Sequence, residues 1–394
     1  MKLKKIIALI LTGAMVFSMA ACKSQESDTK ADPTGGAGVT QGAGDTPSSS
    51  GSTDGYVIGF SNGYWGNTWR AQMVEDFETR CKEYEADGIL SDYMISNTEG
   101  DATEQLNQIN AMIDAGVDAI LIDAVSPTTI QSAVVKAQNA GILVVIANDP
   151  AAYEGTYCVC GNNYSWQKIQ DVWLAEQLGG SGNIVRITGV SGNAADTLRQ
   201  QADTDVFAKY TGIKILGSAP GNWSQTDAQS VMTTFLSSYD NIDAVLTQDV
   251  MAEGILKAFE NAGKEPTLMT GDYTKSFLTK WSQMDSLNTI AVPYAPGNAV
   301  TVLDVAVRLL QGKTIDSSIL VANPMDSSMV NTIVVDPPYV VTRDGDANAV
   351  WMEGLNGTKA ITLDQAIELM KDKADTAALD GYLSQEEVDK FFTD

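Results

Sequence analysis

Residues 101–123 read "DATEQLNQINAMIDAGVDAILID" and residues 226–249 read "TDAQSVMTTFLSSYDNIDAVLTQD". Each begins polar, carries apolar residues at helical spacing, and then passes through Asp-Ala-apolar-Leu into a run with strand character. This is one helix-strand unit used in two separate halves of the chain. Outward from the two copies, short β-rich runs alternate with amphipathic stretches: "YVIGF", "SDYMIS", "DAILID", "ILVVIA" and "TYCVCG" first, then "NIVRITG", "IKILGSA", "IDAVLTQ", "TLMTGD" and "NTIAVP". "ILVVIA" is apolar at successive positions, as a strand buried on both faces requires. The alternation predicts an α/β protein of two doubly wound, Rossmann-like parallel-sheet lobes, with ligand chemistry at the carboxyl ends of the strands.

The N-terminus has a different grammar. Lys2, Lys4 and Lys5 precede an apolar run over residues 6–21 that is short for a membrane span and has the order of a secretory signal. Residues 23–54 are almost entirely Ser, Gly, Thr, Ala, Asp, Gln and Pro, with Val39 the only branched aliphatic residue, so they cannot bury enough apolar surface to offset ordering and are expected to be a flexible tether. The folded part then runs from Gly55 to Asp394, long enough for two domains.

Composition excludes several classes. The formal charge is −25, a poor match to phosphate backbones or anionic lipid, so no nucleic-acid partner is expected. No histidine is present, which removes His-based triads, His-ligated zinc and His general bases. Beyond Cys22, Cys81 lies on a helical pattern, and Cys158 and Cys160 lie on one face of a strand. Buried thiols are the reading taken for these three, with a disulfide left open. No metal site and no cofactor is expected. "LDGYLSQEE" faintly resembles a calcium loop, but Thr376 and Ala378 stand where its first two carboxylates belong.

The loops that follow the strand candidates carry the chemistry. "SNGYWGNTWRAQ" at 61–72 holds three large rings in a Gly/Asn-rich turn, and "NDP" at 148–150, "TGVSGNAADTLR" at 188–199 and "APGNW" at 219–223 add amides, carboxylates and an arginine. "TQD" at 247–249, "GDY" at 271–273 and "VPYAPGN" at 292–298 complete the set. Rings together with carboxylates, amides and arginines suit a neutral polyhydroxyl ligand, whose faces are apolar and whose edges need donors and acceptors.

In order and spacing these residues resemble the periplasmic sugar-binding proteins of ABC transporters, of the ribose, galactose and galactofuranose types, which share the type I binding-protein fold. The resemblance covers about residues 56–341. "MAAC" at 19–22 is similar to a lipobox and implies lipidation of Cys22. The fold implies a signal peptide at 1–21, a lipidated tether at 22–54, and lobes joined by three hinge crossings near 160–162, 292–294 and 331–335. Lobe one would comprise 55–160 plus 295–331; lobe two would comprise 161–292 plus 334–394 with a C-terminal extension.

The resemblance also implies ligand-binding residues. "NGYW" stands at the family's aromatic turn, and "NTWR" resembles galactofuranose-type receptors, so Trp65 or Trp69 would stack on a sugar face, Arg70 would donate to ring or hydroxyl oxygens, and Asn67 is a further binding candidate. Asp149 matches the family aspartate that grips two hydroxyls, with Pro150 in place of the usual arginine. On lobe two Asn193, Arg199, Trp223 and Asp249 match site positions, Asp272 matches a supporting step, and Tyr294 stands near the place of a family glutamine. Ala202 and Gln248 depart from the pattern.

The implied function is an extracytoplasmic receptor, a monomer anchored by lipid to the outer face of the bacterial membrane, that closes on a monosaccharide and delivers it to an ABC permease without chemistry on the ligand. A sensory sugar receptor with the same binding physics is the nearest alternative. An extracellular glycosidase using Asp149 with Asp249 is the rival from another class.

Overall fold

The computed structural model describes residues 55–266 and 268–393. Cys22, the leader and the tether lie outside the described residues. The first half alternates as its periodicity predicts: β1 (Tyr56–Asn62), α1 (Thr68–Ala86), β2 (Leu90–Asn97), α2 (Ala102–Ala115), β3 (Ala119–Asp123), α3 (Pro127–Asn139), β4 (Leu143–Asn148) and β5 (Tyr157–Gly161). Local chemistry sets the helix ends. The side chain of Asp101 accepts from the amides of Thr103 and Glu104 to start α2, and Gly116, at φ 75°, ends it in the left-handed conformation that a β-carbon disfavours. Ser126 followed by Pro127 starts α3.

The second half repeats the scheme with α4 (Asn163–Gln177), β6 (Ser181–Thr188), α5 (Ala194–Phe207), β7 (Gly212–Pro220), α6 (Gln225–Ser238), β8 (Ala244–Thr247), α7 (Ala252–Asn261), β9 (Leu268–Thr270), α8 (Lys275–Ser282) and β10 (Asn288–Ile290). The chain then returns through α9 (Asn298–Leu310), β11 (Thr314–Ile315), β12 (Val321–Asn323) and β13 (Asp326–Val335). It ends with β14 (Tyr339–Thr342), β15 (Lys359–Thr362), α10 (Leu363–Met370), α11 (Gln385–Asp389) and β16 (Phe392–Thr393).

Lobe one is built on a seven-stranded sheet, β12-β13-β5-β4-β3-β1-β2, parallel except for the edge hairpin β12–β13. Lobe two is built on a five-stranded parallel sheet, β10-β9-β8-β6-β7. The repeated unit falls at equivalent places: β3 pairs with β1, and β8 pairs with β6. In both sheets the order reverses at that pair, so the strand ends there open a crevice. The central strands β3 and β8 are buried throughout, while the edge strands β2 and β7 are mostly half-buried or exposed. α9 is buried over most of its length between α1 and the lobe-one sheet, with Val302, Leu303 and Val305 in its core.

Two boundary expectations are corrected. The third crossing, expected near 331–335, lies further on: β13 stays in the lobe-one sheet to its end, pairing Val335 with Gly161. The ladder stops where Pro337 and Pro338 offer no N–H, and the chain crosses at 336–338 before β14 joins lobe two through the Ala291–Val341 bridge. The tail was assigned wholly to lobe two. α10 does pack on α8, but α11 packs on α9 and β16 pairs antiparallel with β11, because Val388 and Phe392 complete the lobe-one core. Both tail helices start with capping boxes, Thr362 with Gln365 and Ser384 with Glu387.

Candidate functional site

The carboxyl ends of β1, β3 and β4 in lobe one meet those of β6, β7, β8 and β9 in lobe two around a cleft. Its outer part is a cavity of about 750 Å³ lined by Asn67, Arg70, Asp123, Asp149, Asn193, Asn222 and Trp223, among others. A tighter recess of about 70 Å³ continues inward among Trp69, Arg70, Asp149, Arg199, Trp223, Asp249, Tyr273 and Tyr294.

On lobe one, Asn67 caps α1 by accepting from the Arg70 amide at 2.9 Å, which places Trp69 and Arg70 in the first turn. The Arg70 guanidinium forms a close ion pair with Asp123, reaches Asp149 Oδ2 at 3.2 Å, and lies 5.2 Å from the centre of the Trp69 ring. Trp69 Nε1 donates to the Tyr294 carbonyl at 2.7 Å, and the two rings sit 5.8 Å apart. Tyr294 Oη donates to the Asn148 carbonyl at 3.2 Å and accepts from Asn163 Nδ2 at 3.3 Å; burial pushes its phenol far above the usual range. The second crossing, which carries Tyr294, is thereby wedged beside the site.

On lobe two, Arg199 is buried. It pairs closely with Asp249, donates from Nε to Asn163 Oδ1 at 3.0 Å and from Nη1 to Gln248 Oε1 at 3.3 Å. Aromatic rings surround it, Trp166 at 4.1 Å, Tyr294 at 5.1 Å and Trp223 at 5.7 Å. Burial opposes its charge, and the neighbouring Asp249 carboxylate more than restores it. Asp249 also accepts from Tyr273 Oη at 2.9 Å. Trp223 donates from Nε1 to Gln248 Oε1 at 3.0 Å and lays its ring over Gly189, where any β-carbon would collide with it. Gln248 donates in turn to Asp196 at 3.1 Å. Asn193 caps α5 through the Ala195 amide at 2.7 Å and lines the outer cavity.

The backbone marks the same place. Among the described residues, the non-glycine residues at positive φ are Asn148, Asn222, Trp223 and Asp249, and all four line the cleft. Left-handed backbone at Trp or Asp costs on the order of 1–3 kcal/mol per residue, and such strain concentrates where side chains must be aimed.

Nine of the eleven candidate binding residues thus line one cleft. Trp65 and Asp272 do not. Trp65 is 41% exposed and lies outside both parts of the cavity. Asp272 is fully buried and accepts from the amides of Tyr273 and Thr274 and from the Thr274 hydroxyl, so it shapes the turn behind Tyr273. Burial, only partly offset by these hydrogen bonds, pushes its carboxyl up to about 7. The sequence reading missed Asp123, Gln248 and Tyr273. Asp123 had a legible signal, a lone carboxylate ending an otherwise apolar strand at the switch point. Among the described residues no cluster suited to a metal ion is present. Cys81, Cys158 and Cys160 are free and buried.

Chemically, the cleft offers acceptors and donors in fixed pairs beside ring faces. Each of Asp149 and Asp249 already has a guanidinium partner and presents its remaining carboxylate acceptor capacity toward the cleft.

Comparison with known proteins bears on the fold and the family. The xylitol-binding protein of Mycolicibacterium smegmatis is 32% identical over 184 residues, 45% of this chain and about half (51%) of that protein. The ribose import binding protein RbsB of Bacillus subtilis is 25% identical over 69% of this chain and 88% of its own length. The binding-protein component of the arabinose ABC transporter from Shewanella sp. ANA-3, solved with L-arabinofuranose, superposes with a TM-score of 0.63 at 20% identity, over 73% of this chain and 92% of that one. The shared architecture is the type I periplasmic binding protein fold. A family model described as periplasmic binding protein domain matches residues 58–314, most of both lobes, and the chain belongs to that family.

Proposed function

We propose that this protein is an extracytoplasmic receptor that captures one neutral monosaccharide between its lobes and presents it to an ABC permease. The observation that carries the reading is the pair of opposed arginine–carboxylate units, Arg70 with Asp123 and Asp149 and Arg199 with Asp249, set among Trp69, Trp223 and Tyr294. A sugar hydroxyl both donates and accepts, so it inserts between carboxylate and guanidinium without leaving either charge unpaired. Hydrogen bonds to charged groups contribute about 1.5–3 kcal/mol each, and a micromolar receptor needs about 8 kcal/mol in total. Closure about the crossings at 161–162, 293–297 and 336–338 would bring the two units onto opposite edges of the ring, and the permease would read the closed form.

The binding-protein names borne by the relatives support transport and not turnover. The leader and "MAAC" support export, with Cys22 as a lipid anchor on the outer face of the cell membrane; we take the receptor to act as a monomer. No helix among the described residues is long and apolar enough to cross a membrane. Loss of radiolabelled palmitate incorporation in Cys22→Ser tests the anchor.

The decisive experiment is a thermal-shift screen of the purified protein against pentoses and hexoses in pyranose and furanose forms, with amino acids as controls. A ligand at about a hundred times its Kd adds about 2.7 kcal/mol and raises Tm by several degrees. A shift with one sugar class establishes the receptor. Silence across all sugars overturns it.

A further inference from the structure

The tail segment 371–383 lies beyond the region matched by the family model and makes an additional passage between the lobes. Lobe two grips its start: the amides of Lys275 and Ser276 donate to the carbonyls of Ala377 and Asp375 at 3.0 and 2.9 Å, and the Leu379 amide donates to the Tyr273 carbonyl at 2.7 Å. Lobe one grips the same stretch from α1. Gln72 Oε1 accepts from the Ala378 amide at 2.9 Å and Gln72 Nε2 donates to the Ala378 carbonyl at 3.2 Å. The two peptide units that flank Ala378 are therefore each held by both lobes. The two grips adjoin the site itself, since Gln72 lies two residues after Arg70 and the Tyr273 hydroxyl holds Asp249.

One turn further along α1, Asp76 presents a carboxylate oxygen, Oδ2, that is buried and has no hydrogen-bond donor. The Asp76 carboxyl lies within hydrogen-bonding reach of the Asp380 carboxyl, which Gln72 also touches and whose Oδ1 accepts from the amides of Gly297 at 3.0 Å and Gly381 at 2.8 Å. Gly297 begins α9 at the second crossing. Two carboxyl groups in contact, one on α1 and one on the tail, are held together when they share a proton and pushed apart when both are charged.

We propose that residues 371–383 form a latch across the lobes, fastened by a proton shared between Asp76 and Asp380, so that the width of the cleft depends on pH. The charged groups facing Asp76 are Asp380 and Lys373 from the tail and Glu75 on its own helix. Burial first and the Asp380 charge second push Asp76 up to about 8, while Lys373 opposes them only in part. The folded value lies above the unfolded one, so the stabilisation is fully present below about pH 4 and is lost as pH rises through about 8. At neutral pH the latch is fastened; in alkali it lets go of α1 and frees lobe one to swing.

The latch rests on the receptor reading only in taking this cleft as the binding site, and its test needs no ligand. Spin labels are placed at Glu99→Cys and Ser191→Cys, exposed positions on opposite lobes, in the full chain carrying Cys22→Ser; the three remaining cysteines are buried. Interlabel distances are measured by pulsed electron resonance from about pH 6 to about pH 9.5. The wild-type distribution should be narrow at neutral pH and broaden to longer distances with a midpoint near 8. Asp76→Asn, which keeps a donor toward Asp380 at every pH, should stay narrow and have a higher Tm than wild type in alkali, while Gln72→Leu should be broad throughout. A wild-type distribution that does not change with pH, an Asp76→Asn protein that tracks wild type, or a lower alkaline Tm for that variant overturns the latch. Each of these outcomes leaves the sugar screen unaffected, and a protein that binds no sugar leaves the latch measurement intact.

Discussion

Arg70 of lobe one and Arg199 of lobe two line the same recess, each beside a tryptophan and an aspartate, yet their side chains are 12% and 2% exposed. Arg70 stands in the first turn of a helix whose cap leads into a glycine-rich loop, and its partners belong to its own lobe. Arg199 is bonded to Asn163, Gln248 and Asp249 and enclosed by three rings. On the proposed receptor reading, lobe two would carry a preorganised half-site that costs little to order when ligand arrives, and lobe one the more adjustable half-site.

The largest effect follows from emptying the rigid half. Arg199→Met takes the cationic partner from Asp249 and the donor from the buried Asn163 Oδ1, while Tyr273 and Trp223 still donate to Asp249 and Gln248, so the unliganded protein should lose about 3–5 kcal/mol of stability. Urea unfolding reads this loss, and calorimetry with the sugar found by the screen should show no binding. A variant of wild-type stability would mean that the lobe-two network is held by its other members and that its rigidity does not depend on the arginine.

Arg70→Met tests the other side. Asp123 is buried, but it keeps a long contact from Asn148 Nδ2 at 3.4 Å, and Asp149 is close enough to the cleft for water to reach it. The stability loss should be about 1–2 kcal/mol, smaller than for Arg199, while affinity falls about tenfold to hundredfold as one charged donor is removed. Equal stability losses for the two variants would erase the contrast between the half-sites.

The same contrast explains what was legible in the sequence. The alternation and the repeated helix-strand unit disclosed both sheets, because buried parallel strands and amphipathic crossovers leave strong periodicities. Cleft-lining residues in strand-end loops were legible where they are chemically conspicuous, as with Arg199, Trp223 and Asp249. Gln248 and Tyr273 escaped because their importance lies in whom they touch, Trp223 and Asp196 for one and Asp249 for the other. The tail's course also escaped. The apolar face of "LSQEEVDKFF" states that α11 must be covered but not by which lobe, and only the unfilled surface of α9 decides it. Asp272 stands behind the cleft, as a supporting step would, because a carboxylate after a strand caps a turn as readily as it grips a ligand.

Two tryptophans separate the aromatic clamp from its surroundings. Trp223 lines both parts of the cavity, is fixed by Gln248 and lies in strained left-handed backbone at φ 51°. Trp223→Ala should weaken sugar binding by about 2 kcal/mol, roughly thirtyfold, because a ring face buried against the ligand is lost. Its effect on Tm should be small, since Gln248 Oε1 keeps its bond from Arg199. Trp65→Ala should change affinity by no more than about 0.5 kcal/mol, as for a surface position outside the contact region. If instead the two substitutions cost the same, the turn that carries Trp65 must fold down over the sugar when the lobes close. Lobe one would then bring an aromatic face of its own as well as a charged pair, and its adjustable half would extend from α1 back to the end of β1.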